Sequence, residues 1–499
     1  MAVKGGGSSL LVIDVGTSGV RAAVVRPDTS VEHVVHRSVL PATPAPGLVE
    51  FDARRVAEVA VEVATEVLAG SGPVAGLGIA NQRGTTVVWD RRTGEPVGPG
   101  LGWQDLRTVG TCLALQAEGF RFPPYAAATK VAALLDEADP GRARAAEELV
   151  FGTVDTWLVW VLCGGAAAGA PHVTDATNAE VTWLARLDTL DWDDRALEVL
   201  RIPRAMLPRV VDSSGPVGEA VLLPGAPAIC GLAGDQQASL VGQGCTLPGL
   251  AKVTFGTGGM LDLCVGAERP DALEPSATGT FPIVAWQREG APTWGVEAMM
   301  VTAGTCVEWL RDDLGVLDDA AQSAEVAAAC PDTGGVAFVP SLLGMGTPVW
   351  DFGARGTLLG LTRGTGRPEL VRAVLEGVAD RGADLLEAAE AASTLRVEAL
   401  RADGGMTANE VFVQALADAT GRPVEVAPVT EATTLGAGFL AGLAVGTWRD
   451  EEEVAAAYRP SATVEPSIDD GTRAARRARW LEARSRAEHT IPELSGIRF

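Results

Sequence analysis

The chain is poor in the residues that many active sites depend on. Lysine occurs only at Lys4, Lys130 and Lys252. None of the three follows a glycine, so the Gly-Lys-Ser/Thr loop of P-loop nucleotidases is absent. No GxGxxG run leads from a strand into a helix, which removes the dinucleotide fingerprint. The four histidines (33, 36, 172 and 489) show neither HExxH nor HxH spacing. Zinc hydrolysis and Ser-His-Asp chemistry both lose support. Seven cysteines are scattered without a CxxC pair. A zinc site or a disulfide framework is therefore not expected, and an odd count of thiols suits a reducing cytoplasm. Positive charge is short overall: the net charge is −24. That balance argues against nucleic acid or an anionic membrane as partner. No apolar run is long enough to span a bilayer, and the opening "MAVKGGGSSLLVIDVG" does not read as a signal peptide because Asp14 breaks a short apolar stretch.

The 499 residues, 47% hydrophobic and 21% charged, provide for a large core and more than one domain. Residues 10–15, "LLVIDV", run into "GTSG" and then "VRAAVV", a strand–turn–strand signal. The same order returns at 251–265 in "AKVTFGTGGMLDLCV". Two such elements about half a chain apart suggest two related domains facing each other. Helical spacing marks 54–69 and 368–391, with Pro368 in the first turn of the second. Strand runs at 336–340 and 424–427 keep the pattern α/β. The stretches 162–172 and 212–229 read as loops from their Gly, Ala, Pro and Ser content, and the charge run in 450–490 reads as a solvated helix face.

Two features carry chemistry. In "DVGTSG" the amides of Gly16 to Gly19 suit an anion nest, Thr17 and Ser18 add hydroxyls, and Asp14 offers a hard oxygen ligand for Mg²⁺. The competing account is a hairpin turn in which Asp14 and Thr17 satisfy local backbone groups. With the turn at 256–259 and a third at "ADGGMTANE", 402–410, the balance moves towards a nucleotide. The second feature is Asp235 in "GLAGDQQASLVG", 231–242, a single acid among apolar and neutral residues. It is either a helix N-cap or a catalytic base on a tight turn.

A series of motifs decides between these. "NQRGTTVVWD", "WQDLR", "VFGTVDTWLVW", "DATNAEVTWLARLDTLDWDDRALEVLRIPRAMLP", "GLAGDQQASLVGQ" and "VTFGTGG" occur in order. They are followed by "DGGMTANEVFVQALADATGRPVEV" and "EATTLGAGFLAGLAVG". Through nearly its whole length the chain resembles the FGGY carbohydrate kinases, and among them the members that phosphorylate glycerol. The resemblance implies two domains of the actin-like ATPase (ribonuclease H-like) fold, 1–247 and 248–499, with the active site in the cleft between them. It implies ATP and Mg²⁺, a cytoplasmic setting and a small polyol substrate, and it leaves a homo-dimer or tetramer open. Asp235 matches the base that takes a hydroxyl proton as that oxygen attacks the γ-phosphate. Asp14 matches the magnesium position. Gly16, Thr17, Ser18 and Arg21 match the first phosphate loop and Thr257 the second, while Gly304, Glu308, Gly405 and Asn409 match nucleotide contacts. Arg83, Trp103, Tyr125, Asp235 and Gln236 match polyol contacts. A larger polyol or sugar, or a weakly catalytic ATP-binding paralogue, are the alternatives.

The match departs in places. Gly84 stands where an acid usually follows the substrate arginine, and Met260 replaces a phenylalanine beside the glycerol carbons. Glu308 replaces a common glutamine. The segment from Arg107 to Tyr125 is short, and "YAAATKVAALL" lacks a tryptophan usual after the Thr-Lys pair. The basic glycine-rich loop that binds a sugar bisphosphate in some bacterial members gives way to "EAVLLPGAPAI", 219–229, without Lys or Arg. Gly84 and Met260 together lead to the expectation of spare volume beside Arg83.

Overall fold

A computed structural model describes residues 8–270, 278–428 and 431–497. Lys4 and the start of the segment weighed above as a signal lie outside the described residues. In the N-terminal half, β1 (Leu10–Gly16) and β2 (Gly19–Val25) form the expected hairpin, turning on Thr17 and Ser18, and β3 (Val31–Ser38) extends it. Helix α1 (Ala53–Ser71) begins where Asp52 accepts the amides of Arg54 and Arg55. Its buried face, Val56, Val59, Ala60, Val63 and Val67, follows helical spacing and packs on the sheet. Strand β4 (Gly76–Asn81) runs parallel to β1. A six-residue helix, α2 (Ala176–Val181), follows after a mostly helical insertion. Strands β5 (Ser214–Glu219) and β6 (Ala228–Gly234) lead directly into α3 (Asp235–Gly242).

The C-terminal half repeats the plan. β7 (Ala251–Phe255) and β8 (Gly259–Gly266) form the second hairpin; β9 (Phe281–Arg288) and β10 (Ala291–Met300) follow. Then come α4 (Gly304–Asp312), the long α5 (Arg367–Ser393), β11 (Leu400–Asp403), α6 (Glu410–Thr420), β12 (Val424–Val426), α7 (Ala432–Val445), β13 (Ala462–Val464) and α8 (Asp470–Ala487). The strands join in one sheet, β13-β12-β11-β7-β8-β10-β9-β5-β6-β4-β1-β2-β3. Within it the sub-orders β3-β2-β1-β4-β6 and β10-β8-β7-β11-β12 correspond strand for strand, each an antiparallel meander continued by parallel strands. One large apolar cluster fills each half, and another joins them, Leu10, Val12 and Ala80 of the N-terminal sheet packing with Leu435, Phe439 and Leu440 of α7.

Two expectations are corrected. The stretch 212–229 is not all loop: residues 214–219 form β5, the strand at which the halves of the sheet meet. Pro216 is tolerated there because β5 pairs irregularly with β6 and meets β9 at a single register position, Ser214 with Arg288. Gly and Pro content therefore marked a bulged strand, not its absence.

The Arg-rich C-terminal helix is solvated on one face, where Arg479, Glu482 and Arg486 are exposed, but its other arginines line a buried face. Arg477 and Arg484 of α8 lie 2.6 and 3.0 Å from Asp384 of α5, which also takes Arg381 at 2.7 Å and the Trp480 indole N–H at 3.2 Å. Asp384 is fully enclosed, and Arg476 pairs with Asp380 at 3.4 Å. Burial alone would raise the Asp384 carboxyl, but the arginines Arg381, Arg477 and Arg484 outweigh it and hold it below the ordinary range.

The close crossing of α3 and α7 depends on glycine. A Cβ at Gly242 would stand 1.8 Å from the Ala432 carbonyl oxygen, and one at Gly436 would stand 1.7 Å from that of Ala238. The backbones touch, so α7 brings Thr433 and Thr434 to the active-site end of the N-terminal sheet.

Asp384→Ala should cost about 3–5 kcal/mol in urea denaturation at pH 7, because it strands the buried Arg381 charge. With a depressed native pKa, Asp384 contributes its stability above the unfolded carboxyl pKa and loses it as pH falls through the native value. The gap between wild type and variant should therefore persist at neutral pH and close in strong acid.

Candidate active site

Two carboxylates stand at the same end of the N-terminal sheet, on either side of β4. Asp14 is in β1, two residues before the hairpin glycine Gly16, and Asp235 opens α3 after β6. Gly234, not Asp235, occupies the N-cap position, although Oδ1 of Asp235 accepts the Gln236 amide at 2.9 Å. Capping thus uses one oxygen and leaves the carboxylate partly open to the cleft, with 32% of the side chain exposed.

Small polar residues fix these turns. Asn81, ending β4, exchanges amide hydrogen bonds with Asn178 of α2 (2.9 and 3.1 Å). The Thr177 hydroxyl accepts the Gly234 amide at 2.9 Å, and Asp175 caps α2. The turn bearing Arg83 and the turn bearing Asp235 are therefore both pinned to one short helix.

Arg83 lies between two acids. Its Nε is 3.6 Å from Asp235, and its Nη1 is 2.7 Å from Glu297 of β10. It also donates to Gln237 at 3.4 Å and lies 3.9 Å from the Met260 sulfur. Burial disfavours its charge, but Glu297 and Asp235 overcome that, and the guanidinium is held firmly protonated. For Asp235 burial is the largest influence and Arg83 opposes it; the net direction is upward from the ordinary carboxylate value. Asp14 is pushed up to about 7 by burial, with Arg21 opposing and Asp235 and Glu431 adding to the rise.

The local-backbone account of the first turn is not what the structure has. Asp14 faces Arg21 at 3.7 Å and receives the Thr434 hydroxyl at 3.5 Å, while Arg21 also pairs with Glu431. Thr17 accepts the Trp103 indole N–H at 3.3 Å, which joins the Gly16–Ser18 turn to the polyol-side residues. The second turn, Gly256–Gly258, seats on the start of α4: the Gly304 amide donates to the Gly256 carbonyl, and a Cβ at Gly304 would be 2.6 Å from that oxygen. Thr257 accepts the Ala303 amide at 2.8 Å, and Glu308 is exposed one helical turn further on. The third turn closes on the same point, because Gly404, at φ +92°, brings its backbone against the Phe255 carbonyl, leaving Gly405 exposed. Asn409 is engaged in the fold: it caps α6 through the Phe412 amide and donates to Ser323 at 2.9 Å.

Lys130 organises the polyol side. Wholly buried, it donates to the carbonyls of Gly102, Trp103 and Tyr125 at 2.8, 3.0 and 3.2 Å. Burial lowers its pKa to about 7. The Tyr125 carbonyl it holds is the atom that faces Gly84. This corrects the expectation of spare volume there: Gly84 is buried at φ +66°, and a Cβ would meet that oxygen at 2.4 Å. No cavity remains in place of a missing side chain; backbone fills it.

The sequence alone passed over Glu297, Lys252 and Glu180. Lys252 donates to the Gln236 amide oxygen at 2.7 Å and to Thr254 at 3.2 Å, and pairs with Asp262 at 2.7 Å, all within the interior. Glu180 accepts the Val284 amide, and burial pushes its carboxyl up. The signal was the one that singled out Asp235: a lone charge in an apolar strand, Glu297 in "WGVEAMM" and Lys252 in "AKVTF".

Three glycine-bearing turns, two carboxylates and a buried arginine stand on a duplicated fold, an arrangement suited to phosphoryl transfer. Family models define the class. The N-terminal domain of the FGGY family of carbohydrate kinases matches residues 9–242, and the C-terminal domain of that family matches 251–445. The chain belongs to the FGGY family of carbohydrate kinases and is an ATP-dependent kinase. It is 41% identical to glycerol kinase 2 of Thermotoga maritima, over 96% of this chain and 98% of that one. It is equally 41% identical to the glycerol kinase of Carboxydothermus hydrogenoformans, with the same coverage. Among solved structures, Plasmodium falciparum glycerol kinase with ADP superposes with a TM-score of 0.89 at 27% identity, covering 99% of this chain and all of that one. A ligand-bound xylulose kinase from Lactobacillus acidophilus, at 20% identity, 98% and 99% coverage and a TM-score of 0.84, shares the fold.

Asp235→Asn should lower kcat by about 10²–10⁴-fold with the KM for ATP nearly unchanged. Because the Asp235 pKa is raised and a base acts only when ionised, wild-type kcat/KM should fall on the acid side at a pH above the ordinary carboxylate range. A flat profile down to pH 4 would remove Asp235 from that role.

Gly84→Ala and Gly84→Glu should each destabilise the fold, by about 1–3 kcal/mol for the left-handed backbone alone. Neither should improve use of any polyol. Thermal melts and a polyol panel measure both.

Proposed function

We propose that this kinase transfers the γ-phosphoryl group of ATP to a terminal hydroxyl of glycerol, with Asp235 as the general base. The observation that carries the reading is the placement of Asp235: partly open to the cleft, beside Arg83, and on the same sheet end as Asp14 and the first turn. The 41% identity to two bacterial glycerol kinases over nearly the full chain supports the substrate. A short polyol fits better than a longer one because the Tyr125 carbonyl occupies the space beside Gly84.

In this reading Arg83 and Gln236 orient the polyol, and Trp103 and Met260 border its carbon edge. Asp235 takes the hydroxyl proton while the oxygen attacks in line. The turns at Gly16–Ser18, Thr257 and Gly405, together with Gly304, receive the phosphates and nucleotide through backbone amides and hydroxyls. The polypeptide halves divide the work at about residue 247, the N-terminal part holding polyol and the C-terminal part nucleotide. Lys130 holds the backbone on which Trp103 and Tyr125 sit.

A divalent cation fits the residues present. Asp14 is a buried hard-oxygen ligand whose contacts are long, the Arg21 guanidinium at 3.7 Å and the Thr434 hydroxyl at 3.5 Å. Among the described residues no group of three or more acidic, histidine or cysteine side chains is placed to hold a metal ion. Mg²⁺ would therefore arrive with the ATP phosphates, supplying charge neutralisation during transfer, with Asp14 as its protein anchor. The proposed setting is the cytoplasm, with a homo-dimer or tetramer as the proposed assembly.

ADP release assayed with glycerol and with four- and five-carbon polyols should be fastest, per substrate, with glycerol, and should require Mg²⁺. Asp14→Ala should raise the Mg²⁺ concentration needed for half-maximal rate. ADP release indifferent to every polyol would mark an ATP switch instead.

A further inference from the structure

A row of charged residues crosses the C-terminal sheet. Glu425 of β12, Arg401 of β11, Lys252 of β7, Asp262 of β8 and Glu297 of β10 are successive cross-strand partners, so all five share one face. Arg401 and Lys252 are neutralised within the row, by Glu425 at 3.3 Å and Asp262 at 2.7 Å. Glu297 ends the row and reaches Arg83 of the N-terminal half, as Lys252 reaches Gln236 and Arg401 the Gln243 carbonyl.

Glu297 has acceptor capacity left over. Its side chain is nine-tenths buried: Oε2 is enclosed in the ion pair with Arg83 at 2.7 Å, and one tenth of the side chain stays accessible. A buried carboxylate with a single ion-pair partner has lone pairs to spare for a further donor. The other acids nearby are not available in the same way. Glu180 is occupied by the Val284 amide, Asp262 lies one strand further in and fully enclosed, and Asp235 is committed to the reacting hydroxyl. Gly84 presents no side chain. Arg83 carries Asp235 on one edge and Glu297 on the other. A polyol with one hydroxyl on Asp235 would present its next hydroxyl to Arg83 and Glu297.

We propose that Glu297 is a substrate-binding residue: it accepts the hydrogen bond of a polyol hydroxyl other than the one phosphorylated, and so sets the demand for a second hydroxyl. This rests on the polyol kinase reading above, and deepens it by assigning recognition to a strand of the C-terminal half.

The test compares glycerol with 1,2-propanediol and 1,3-propanediol, each lacking one hydroxyl, in steady-state kinetics of wild type, Glu297→Leu and Glu297→Gln. Wild type should disfavour at least one diol, in kcat/KM, by about tenfold to a hundredfold, the range of one hydrogen bond to a charged group. Glu297→Leu should raise the KM for glycerol and bring glycerol and that diol to within a few-fold of each other, with the KM for ATP unchanged. Glu297→Gln, which keeps one acceptor oxygen and the side-chain length, should fall between the two. It also supplies the answer if the leucine variant does not fold. A discrimination ratio equal to that of wild type in the glutamine and leucine variants, whatever the loss of rate, would overturn the proposal, since a merely structural role lowers all substrates together. Wild type turning over none of the three alcohols would overturn the polyol reading itself, and the proposal with it.

Discussion

The guanidinium of Arg83 is the interaction on which the site is built. It is a permanent charge placed in the interior, and it is tolerable there only because acids flank it. One of those acids, Asp235, comes from the N-terminal half; the other, Glu297, comes from the C-terminal half. Remove the arginine and two carboxylates would stand uncompensated around its place, each driven towards protonation. With the arginine present, the proposed base stays in reach of ionisation although burial opposes it. The same group therefore sets the electrostatics of the proposed chemistry and joins the two halves of the molecule.

Around that centre the fold works mainly through backbone proximity. The turns that carry Arg83 and Asp235 are pinned to α2 by Asn178 and Thr177. The turns at Gly256–Gly258 and Gly404–Ala408 are pressed together at Phe255 and Gly304, and α3 meets α7 through Gly242 and Gly436. Lys130 does for the polyol side what those contacts do for the phosphate side: three carbonyls converge on one ammonium. None of these groups needs to touch substrate to matter, since a displaced backbone carries its side chains with it.

Much of this was legible in the amino-acid sequence, for physical reasons that also explain what was not. The two hairpins showed because apolar runs flank Gly/Thr turns, and α1 and α5 showed because helical periodicity is strong over many residues. Asp235 stood out as an unpartnered acid in an apolar context. Strand β5 did not show, because Gly215, Pro216 and Gly218 suit a bulged junction strand as well as they suit a loop. The arginines of α8 looked solvent-directed because charge in a helix is normally exposed; that their partners are Asp380 and Asp384, some ninety positions earlier, is a tertiary fact with no local trace. Gly84 misled for a related reason. A missing side chain suggests a hole, whereas the left-handed turn lets the Tyr125 carbonyl fill it. Glu297 escaped notice because its partner is distant in sequence, on the other half of the chain.

The pairing of α5 with α8 has a consequence for how the protein is made. Helix α5 leaves the ribosome with Asp380 and Asp384 on the face that must be buried and only Arg381 beside them, while Arg476, Arg477 and Arg484 are still unsynthesised. At roughly 5–20 residues per second, the delay across that span is several seconds. During it one face of the N-terminal sheet can pack on its own helix α1, while the opposite face needs Leu435, Phe439 and Leu440 of α7. The buried acids of α5 keep an incomplete shell until the last helix arrives. Vectorial synthesis thus leaves the seams made by α7 and α8 among the last contacts to form.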